Sequence, residues 1–441
     1  MRLVDRRSFL AGSAAFTAAP AIAAPPSQAD FDVIIVGAGA AGIAAARRVA
    51  AAKRRFVLLE ASDRWGGRCF TDMRTFRVPY ERGARSIYTP DLNPIAKLAV
   101  KAGIDIYPMP TGQRLRIGLR NAREGEREDF FANLLRCTRA ISEAARNKAD
   151  VSCAQAIPKD LGDWAPTMDF VLGEFNYGKS LSEISAMDFA KSAERDSAAF
   201  CRQGIGTLLA KLAFGLPIQF FSPVNRISWA GRMLEAEARR TTLTAHAIIV
   251  TASTGVLGSG AIKFEPALPA RYAEAITKLP LGSYDHVAIE FAGNPLGLQS
   301  DELVFEKADG TKTAALVGNV SGSRLCLVEL AGKLDAGLVQ EGEASMTAFA
   351  IEWLVHLFGS DLKRAVQRTH ATRWGKEQWV LGAFSSAAPG AQWARKTLSE
   401  PLQDRVWFAG EAAHETLWGT VGGAWEAGER AADAVLRVAR R

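Results

Sequence analysis

Cysteine is scarce in this 441-residue chain, with five residues at positions 69, 137, 153, 201 and 326 and no pair at metal-ligand spacing. The odd count and scattered positions argue against a disulfide scaffold, so buried free thiols are expected. There is no block of Lys and Arg interleaved with aromatics, despite a net charge of +7. That speaks against a nucleic-acid track, and no nucleic-acid partner is expected. No run reaches 18 apolar residues, so no spanning helix and no stable membrane insertion are expected.

What is present is globular. Apolar residues make up 48% and charged residues 23% of the chain, ordinary values for a packed protein. The length exceeds one ordinary core and predicts two domains. Residues 1–29 read as a targeting segment. Asp5-Arg6-Arg7-Ser8-Phe9-Leu10 matches a twin-arginine export signal, followed by a mildly apolar stretch and the A-x-A-like site Ala21-Ile22-Ala23. The expected location is therefore periplasmic or secreted. Two chance arginines on a cytoplasmic tail, or a Sec signal, are the alternatives.

The rest is organised around residues 31–68. An apolar run at 31–36, rich in β-branched residues, reads as a buried parallel strand. Gly37, Gly39 and Gly42 follow at G-x-G-x-x-G spacing, then helical sequence to about residue 53. A second strand at 56–59 ends in Glu60, eighteen residues past Gly42. Gly37 allows a sharp turn, Gly39 lets backbone approach a pyrophosphate, and Gly42 lets helix pack on sheet. The helix N-terminus, from about Ala41, offers free N–H groups to phosphate. Glu60 suits a ribose 2′-OH. The combination predicts a dinucleotide site in an α/β, Rossmann-like domain.

Residues 60–68, Glu-Ala-Ser-Asp-Arg-Trp-Gly-Gly-Arg, resemble the E-A-x-x-R-x-G-G-R element of the flavin-containing amine oxidase family. The C-terminal stretches Thr372-Arg373-Trp374, Val406-Trp407-Phe408-Ala409-Gly410-Glu411 and Gly419-Thr420-Val421-Gly422-Gly423-Ala424 are also similar to that family. The resemblance implies an FAD domain from residues 30–88, 201–280 and 373–441, with an inserted α+β substrate domain from 89–200 and 281–372. The 111–200 stretch is expected to be helical. The resemblance further implies FAD contacts by Glu60, Ala61, Arg64, Gly67 and Arg68, by Gly83, Ala84 and Arg85 under the flavin ring, by Val224 at the adenine edge, and by Gly410, Glu411, Thr420 and Val421.

Three departures mark the pocket. His286 stands where the family has a lysine near flavin N5, and reads either as a water-holding or proton-moving group or as a packed strand residue. Ala383 stands where covalent members have cysteine, so FAD is expected to be non-covalent. Phe384 and Thr420, with Trp418 nearby, replace the family's pair of cage tyrosines. Arg85 is left open between a phosphate, a substrate carboxylate and a structural acid. The implied reaction is oxidation of a small-molecule amine by hydride transfer to flavin N5, with oxygen or a periplasmic carrier accepting the electrons. An L-amino-acid oxidase, a C–C desaturase or porphyrinogen-type oxidase, and a non-catalytic FAD-binding subunit are the alternatives.

Overall fold

The computed structural model describes residues 29–192 and 197–438. The twin-arginine motif and the A-x-A site lie outside them. The strand Phe31–Val36 is flanked in parallel by Phe56–Leu59 on one side and Thr241–Val250 on the other. Ile34 and Ile35 point to opposite faces and both are fully buried, as a strand covered on both sides requires. Ile218–Gln219 extends the sheet in parallel beyond Phe56–Leu59.

The long strand Thr241–Val250 forks. Its first half pairs antiparallel with Leu234–Ala238, and its last three residues take Val406–Phe408 in parallel. Val224–Ser228 and Lys263–Glu265 complete this sheet. On one face lie two alanine-rich helices, Ala40–Ala51 and Val421–Val438. A Cβ on Gly428 would fall 2.0 Å from the Ala41 carbonyl oxygen, so only glycine permits this close crossing.

The second sheet has seven strands in the order Val366–Ala371, Tyr284–Phe291, Leu325–Ala331, Ala315–Gly318, Glu302–Glu306, Gln113–Ile117 and Arg120–Asn121. The expected helical region does contain the helix Glu124–Ala144, but it is preceded by strand Gln113–Ile117, paired in parallel with Glu302–Glu306. Arg114 and the buried Arg116 flank the buried Leu115 there, so the segment carries too little apolar signal to read as a strand. Alternation divides the faces of Tyr284–Phe291. Val287, Ile289 and Phe291 pack with helix Glu343–Phe358. On the opposite face Ala288 packs with Phe76 and Tyr80. All five cysteines are free and buried. Among the described residues no helix is long and apolar enough to cross a membrane.

Candidate active site

The three glycines do separate jobs. Gly37 has φ +98°, and a Cβ there would meet the Thr251 hydroxyl at 2.6 Å. A Cβ on Gly42 would fall 1.8 Å from the Gly37 carbonyl oxygen. A Cβ on Gly39 would meet no protein atom within 4 Å. Gly37 and Gly42 thus answer to the fold, whereas Gly39 borders space that a cofactor backbone can use. Ala41 is buried beneath the last helix. Opposite Gly39 lies the second glycine turn. Gly66 N–H donates to the Ala38 carbonyl at 2.8 Å, and Gly67, at φ +56°, would place a Cβ 3.4 Å from Gly39 Cα.

Glu60 accepts from Ala38 N–H at 2.7 Å and from the N–H and hydroxyl of Ser62 at 2.8 and 2.7 Å. Of a carboxylate's roughly four acceptor positions, about one remains for a ribose hydroxyl. Half-buried Ala61 follows it. Backbone pairing continues beyond the sheet, since Ser222 N–H donates to the Glu60 carbonyl at 2.7 Å. This brings Val224, which starts a strand at an irregular register, to the same end of the sheet.

The arginines are more committed to protein than their motif suggests. Arg64 donates to the Gly67 carbonyl at 2.8 Å and lies 4.4 Å over the Phe70 ring. Arg68 donates to the Ala383 carbonyl at 2.5 Å and pairs with Glu411 at 2.9 Å. The Arg68 carbonyl also accepts from Ala84 N–H at 3.0 Å. A Cβ on Gly83 would lie 2.0 Å from that carbonyl oxygen and 2.9 Å from the Trp374 ring, which fixes the Gly83-Ala84 segment in place.

Glu411 follows Gly410, whose φ of +138° is a glycine conformation. Besides Arg68, the carboxylate accepts from the Ser385 hydroxyl at 2.7 Å and from Gly419 N–H at 2.9 Å. Burial alone would raise its pKa, but the guanidiniums of Arg68 and Arg395 and the Ser385 hydrogen bond hold it below the usual range. Arg395 continues the network with a fully buried, two-pronged pair to Asp188 at 2.7 and 2.8 Å. The chief part of Glu411 is therefore to fasten the loops at 383–385 and 419–420 around the site. Thr420 caps the last helix, its hydroxyl donating to the Leu417 carbonyl at 2.6 Å and accepting from Gly423 N–H at 3.0 Å. Val421 begins that helix. Trp418 is fully buried, 5.0 Å from Tyr177 and beneath the Arg395 guanidinium at 4.2 Å. It stands in the wall behind the site, not in an aromatic cage, because its π face is already occupied by that cation.

Phe384 belongs to an aromatic cluster. Its ring lies 5.6 Å from Tyr284, which in turn lies 6.1 Å from Phe175. Tyr284 hydrogen-bonds Glu329, and burial lifts Glu329 to about 7, with Arg85 opposing. His286 is buried, its Nε2 2.9 Å from the Tyr80 hydroxyl and its Nδ1 3.7 Å from Glu329. Burial, helped by Arg85, His370 and Arg82, pushes its pKa down to about 3, so the imidazole is neutral at physiological pH. Of the partners left open for Arg85, the structure supplies an acid, Asp301, at 3.8 Å, while the guanidinium lies 4.6 Å over Phe200. Its Nη1 is buried and has no hydrogen-bond partner.

Glu329, Tyr80 and Tyr284 were not singled out by sequence reasoning. Glu329 had a usable signal, being the lone acid in the seven-residue buried strand Leu325–Ala331, where an ionisable group has to be explained. Tyr80 and Tyr284 carry no comparable mark.

The chain matches the family described as flavin containing amine oxidoreductase over residues 40–436. It is 27% identical to human lysine-specific histone demethylase 2 over 461 aligned positions, covering 93% of this chain and 54% of the relative. The mouse lysine-specific histone demethylase 1B is also 27% identical, with 93% and 53% covered. The chain thus spans about half the length of the curated relatives it matches. Its fold is shared with a putrescine oxidase bound to putrescine (TM-score 0.77, 16% identity, 92% of this chain and 99% of that one). It is shared equally with the cyclohexylamine oxidase of Brevibacterium oxydans (TM-score 0.77, 21% identity, 93% and 100% covered). Non-covalent binding fits Ala383, whose methyl offers no sulfur for a flavin bond, and the Gly39 and Gly67 backbones frame a cradle that FAD fits. With its glycine cradle, its Arg68–Glu411 clasp and a family match across nearly its whole length, the chain belongs to the flavin-containing amine oxidoreductases, and FAD is its cofactor.

Proposed function

We propose that the protein oxidises a small aliphatic amine to the imine, which water hydrolyses to a carbonyl product. The observation that carries this reading is the aromatic cluster of Phe384, Tyr284 and Phe175, with the buried acid Glu329 hydrogen-bonded to Tyr284. An apolar, aromatic wall favours the uncharged amine over the ammonium. FAD supplies the hydride acceptor when bound. The chain's own residues orient the amine, exclude water and keep the nitrogen neutral. The relatives named above, a lysine-specific demethylase, a putrescine oxidase and a cyclohexylamine oxidase, share by name a nitrogen on an aliphatic carbon, and that class is the one proposed here.

The Nη1 of Arg85, 3.8 Å from Asp301 and without a hydrogen bond, favours a second reading, an amino-acid substrate whose carboxylate pairs with it. One experiment serves both. Aliphatic amines should bleach the visible flavin band anaerobically faster than the matching α-amino acids do, and acid should release intact FAD. Faster bleaching by amino acids would transfer the assignment to the second reading. Flavin that stays with the precipitated protein would overturn the non-covalent site. Neutral His286 supplies no cation beside the flavin, so slow reoxidation in air and a carrier other than oxygen as electron acceptor belong to this proposal. Rapid reoxidation with stoichiometric peroxide counts against it.

Export by the twin-arginine route is also proposed, on Arg6 and Arg7. Replacing both with lysine should leave flavin-loaded protein in the cytoplasm, as judged by cell fractionation. Normal export of that variant would remove the proposal.

A further inference from the structure

Beside the Tyr284–Phe384 aromatic cluster runs a chain of proton-carrying groups that the flavin cradle does not use. His286 Nε2 lies 2.9 Å from the Tyr80 hydroxyl, and the same hydroxyl lies 3.2 Å from His370 Nδ1. The inner two groups are buried, whereas His370 is only half-buried, on the edge strand Val366–Ala371. At the inner end Glu329 stands 3.7 Å from His286 Nδ1, a few tenths of an ångström beyond hydrogen-bond reach. The three residues come from separate parts of the chain, 206 and 290 residues from Tyr80 in the case of the two histidines. Their alignment therefore depends on packing between the segment at 76–80 and the second sheet.

We infer that Glu329, His286, Tyr80 and His370 form a relay that carries the substrate's ammonium proton from the pocket to solvent. The inference rests on the amine reading, because an ammonium has no nitrogen lone pair to assist loss of hydride from the adjacent carbon and must first be deprotonated. The N–H bond of R–NH3+ breaks and an O–H bond forms on the Glu329 carboxylate. That proton then passes to His286 Nδ1 as the Nε2 proton moves to the Tyr80 oxygen and the Tyr80 proton moves to His370 Nδ1. The amine is left neutral, Glu329 is again a carboxylate, His286 has exchanged tautomers, and His370 carries the extra proton to the surface. After the product has left, a proton taken up from solvent by His370 runs back along the chain, restores the first tautomer and is released from Glu329 to water in the emptied site. Charge and atoms balance without a further reactant.

The surroundings suit the parts. Arg85 and Arg82 bear on His286 and disfavour imidazolium there, so the ring passes protons without storing one. Tyr80 feels Arg82 against the acids Glu329, Asp72 and Asp285, and burial keeps its hydroxyl protonated. His370 faces Arg82 on one side and Glu343 and Asp72 on the other. Glu329, near 7 through burial with Arg85 and Asp285 as its charged neighbours, is matched to taking a proton at neutral pH.

The test uses the FAD-loaded enzyme and its best amine under anaerobic stopped flow, from pH 6 to 9. Tyr80→Phe keeps the ring packing and removes only the hydroxyl. It should bind amine as tightly as wild type and reduce flavin about 10- to 100-fold more slowly near neutrality, with the rate restored by added imidazole buffer. His370→Gln, at the more exposed end, should show the same rescued loss, and it decides the matter if Tyr80→Phe does not fold. Wild-type rates and pH profiles in both variants, or a loss that imidazole leaves unchanged, would overturn the relay. A second readout does not depend on turnover. In 15N-histidine spectra Tyr80→Phe should move the His286 Nε2 and His370 Nδ1 resonances together, and unmoved resonances would dismiss the relay. If no amine reduces the wild-type flavin, the amine reading fails on its own while these resonances still judge the hydrogen-bonded chain.

Discussion

Gly42→Ala is expected to cost the protein its fold, and Gly39→Val only its flavin. The two glycines sit three residues apart in one turn, yet an added Cβ meets the Gly37 carbonyl oxygen at 1.8 Å in the first case and nothing within 4 Å in the second. Gly37 cannot retreat, because its N–H donates to the Leu59 carbonyl at 2.7 Å and its carbonyl accepts from the Thr251 hydroxyl at 3.0 Å. The clash is backbone against side chain between a helix and the strand beneath it. The cost should exceed the ~1–3 kcal/mol usual for overpacking, and Gly42→Ala should appear as insoluble or unfolded protein. Gly39 is extended at φ −75° and ψ −176°, a conformation valine accepts. Gly39→Val should therefore be soluble and colourless, and melt within about 2 °C of wild-type protein stripped of FAD. Flavin-to-protein absorbance and thermal melts measure both. A yellow Gly39→Val protein would move the pyrophosphate away from this turn.

A loss of stability from pH 5 to pH 8 is the second large expectation. Asp285 and Asp335 are both fully buried and their pKa values are both raised, by burial first. Asp285 Oδ1 accepts from Trp374 N–H at 2.9 Å and Asp335 Oδ2 from the Ser283 hydroxyl at 2.6 Å. Asp285 Oδ2 and Asp335 Oδ1 make no hydrogen bond of standard geometry, and the two carboxyls lie in reach of each other, with the Thr372 side chain beside Asp285. Two carboxylates so placed cannot both ionise cheaply, so they share a proton. Glu81, Glu174 and Glu329 are likewise pushed to about 7 by burial.

An acid whose folded pKa lies above its unfolded one contributes stability that is complete below the unfolded value and is lost as pH rises through the folded one. The window for these groups runs from about pH 4 to 8. Buried neutral histidines oppose them. His286, His370 and His414 are depressed, so their contribution is present above about pH 6.5 and lost as pH falls. The acids outnumber them and keep titrating above that point. The melting temperature of the holoenzyme should therefore peak on the acid side of neutrality and fall by on the order of 5 °C by pH 8.5. Asp335→Asn supplies an amide donor to Asp285 without needing the proton, and should flatten the alkaline limb. A profile equally steep in that variant would remove the shared proton from the account.

The glycine cradle and the C-terminal segments were legible in the sequence because each is enforced locally. A turn at φ +98° or a carbonyl 1.8 Å from an absent Cβ admits one residue type, and the residue type is what a sequence displays. The strands at 31–36 and 56–59 were legible for a similar reason, since fully buried strands are written as apolar runs. The pocket was not. Glu329, Tyr80 and His370 acquire their meaning only from one another, across more than two hundred residues. Trp418 looked like a cage residue by its neighbours in the chain, and its place was decided instead by Arg395 and Tyr177. Arg68 and Glu411 were each assigned to the cofactor, although charge complementarity first pairs them with each other. Strand Gln113–Ile117 escaped notice because its pairing partner lies nearly 190 residues downstream.

The clasp between Arg68 and Glu411 joins positions 343 residues apart, and the strand Val406–Phe408 docks on Thr241–Val250 in the same region. A growing chain emerges N-terminus first, so the glycine turns leave the ribosome long before the segment that closes over them. Until residues beyond about 420 are free of the exit tunnel, the loops at 383–385 and 419–420 have no Glu411 network to hold them. Stable capture of FAD is thereby deferred until the segment at 411–420 has emerged, as is usual for contacts of long sequence separation. A ribosome stalled short of that point would hold a chain with half a cradle. Cofactor content thus becomes a record of whether that segment was made.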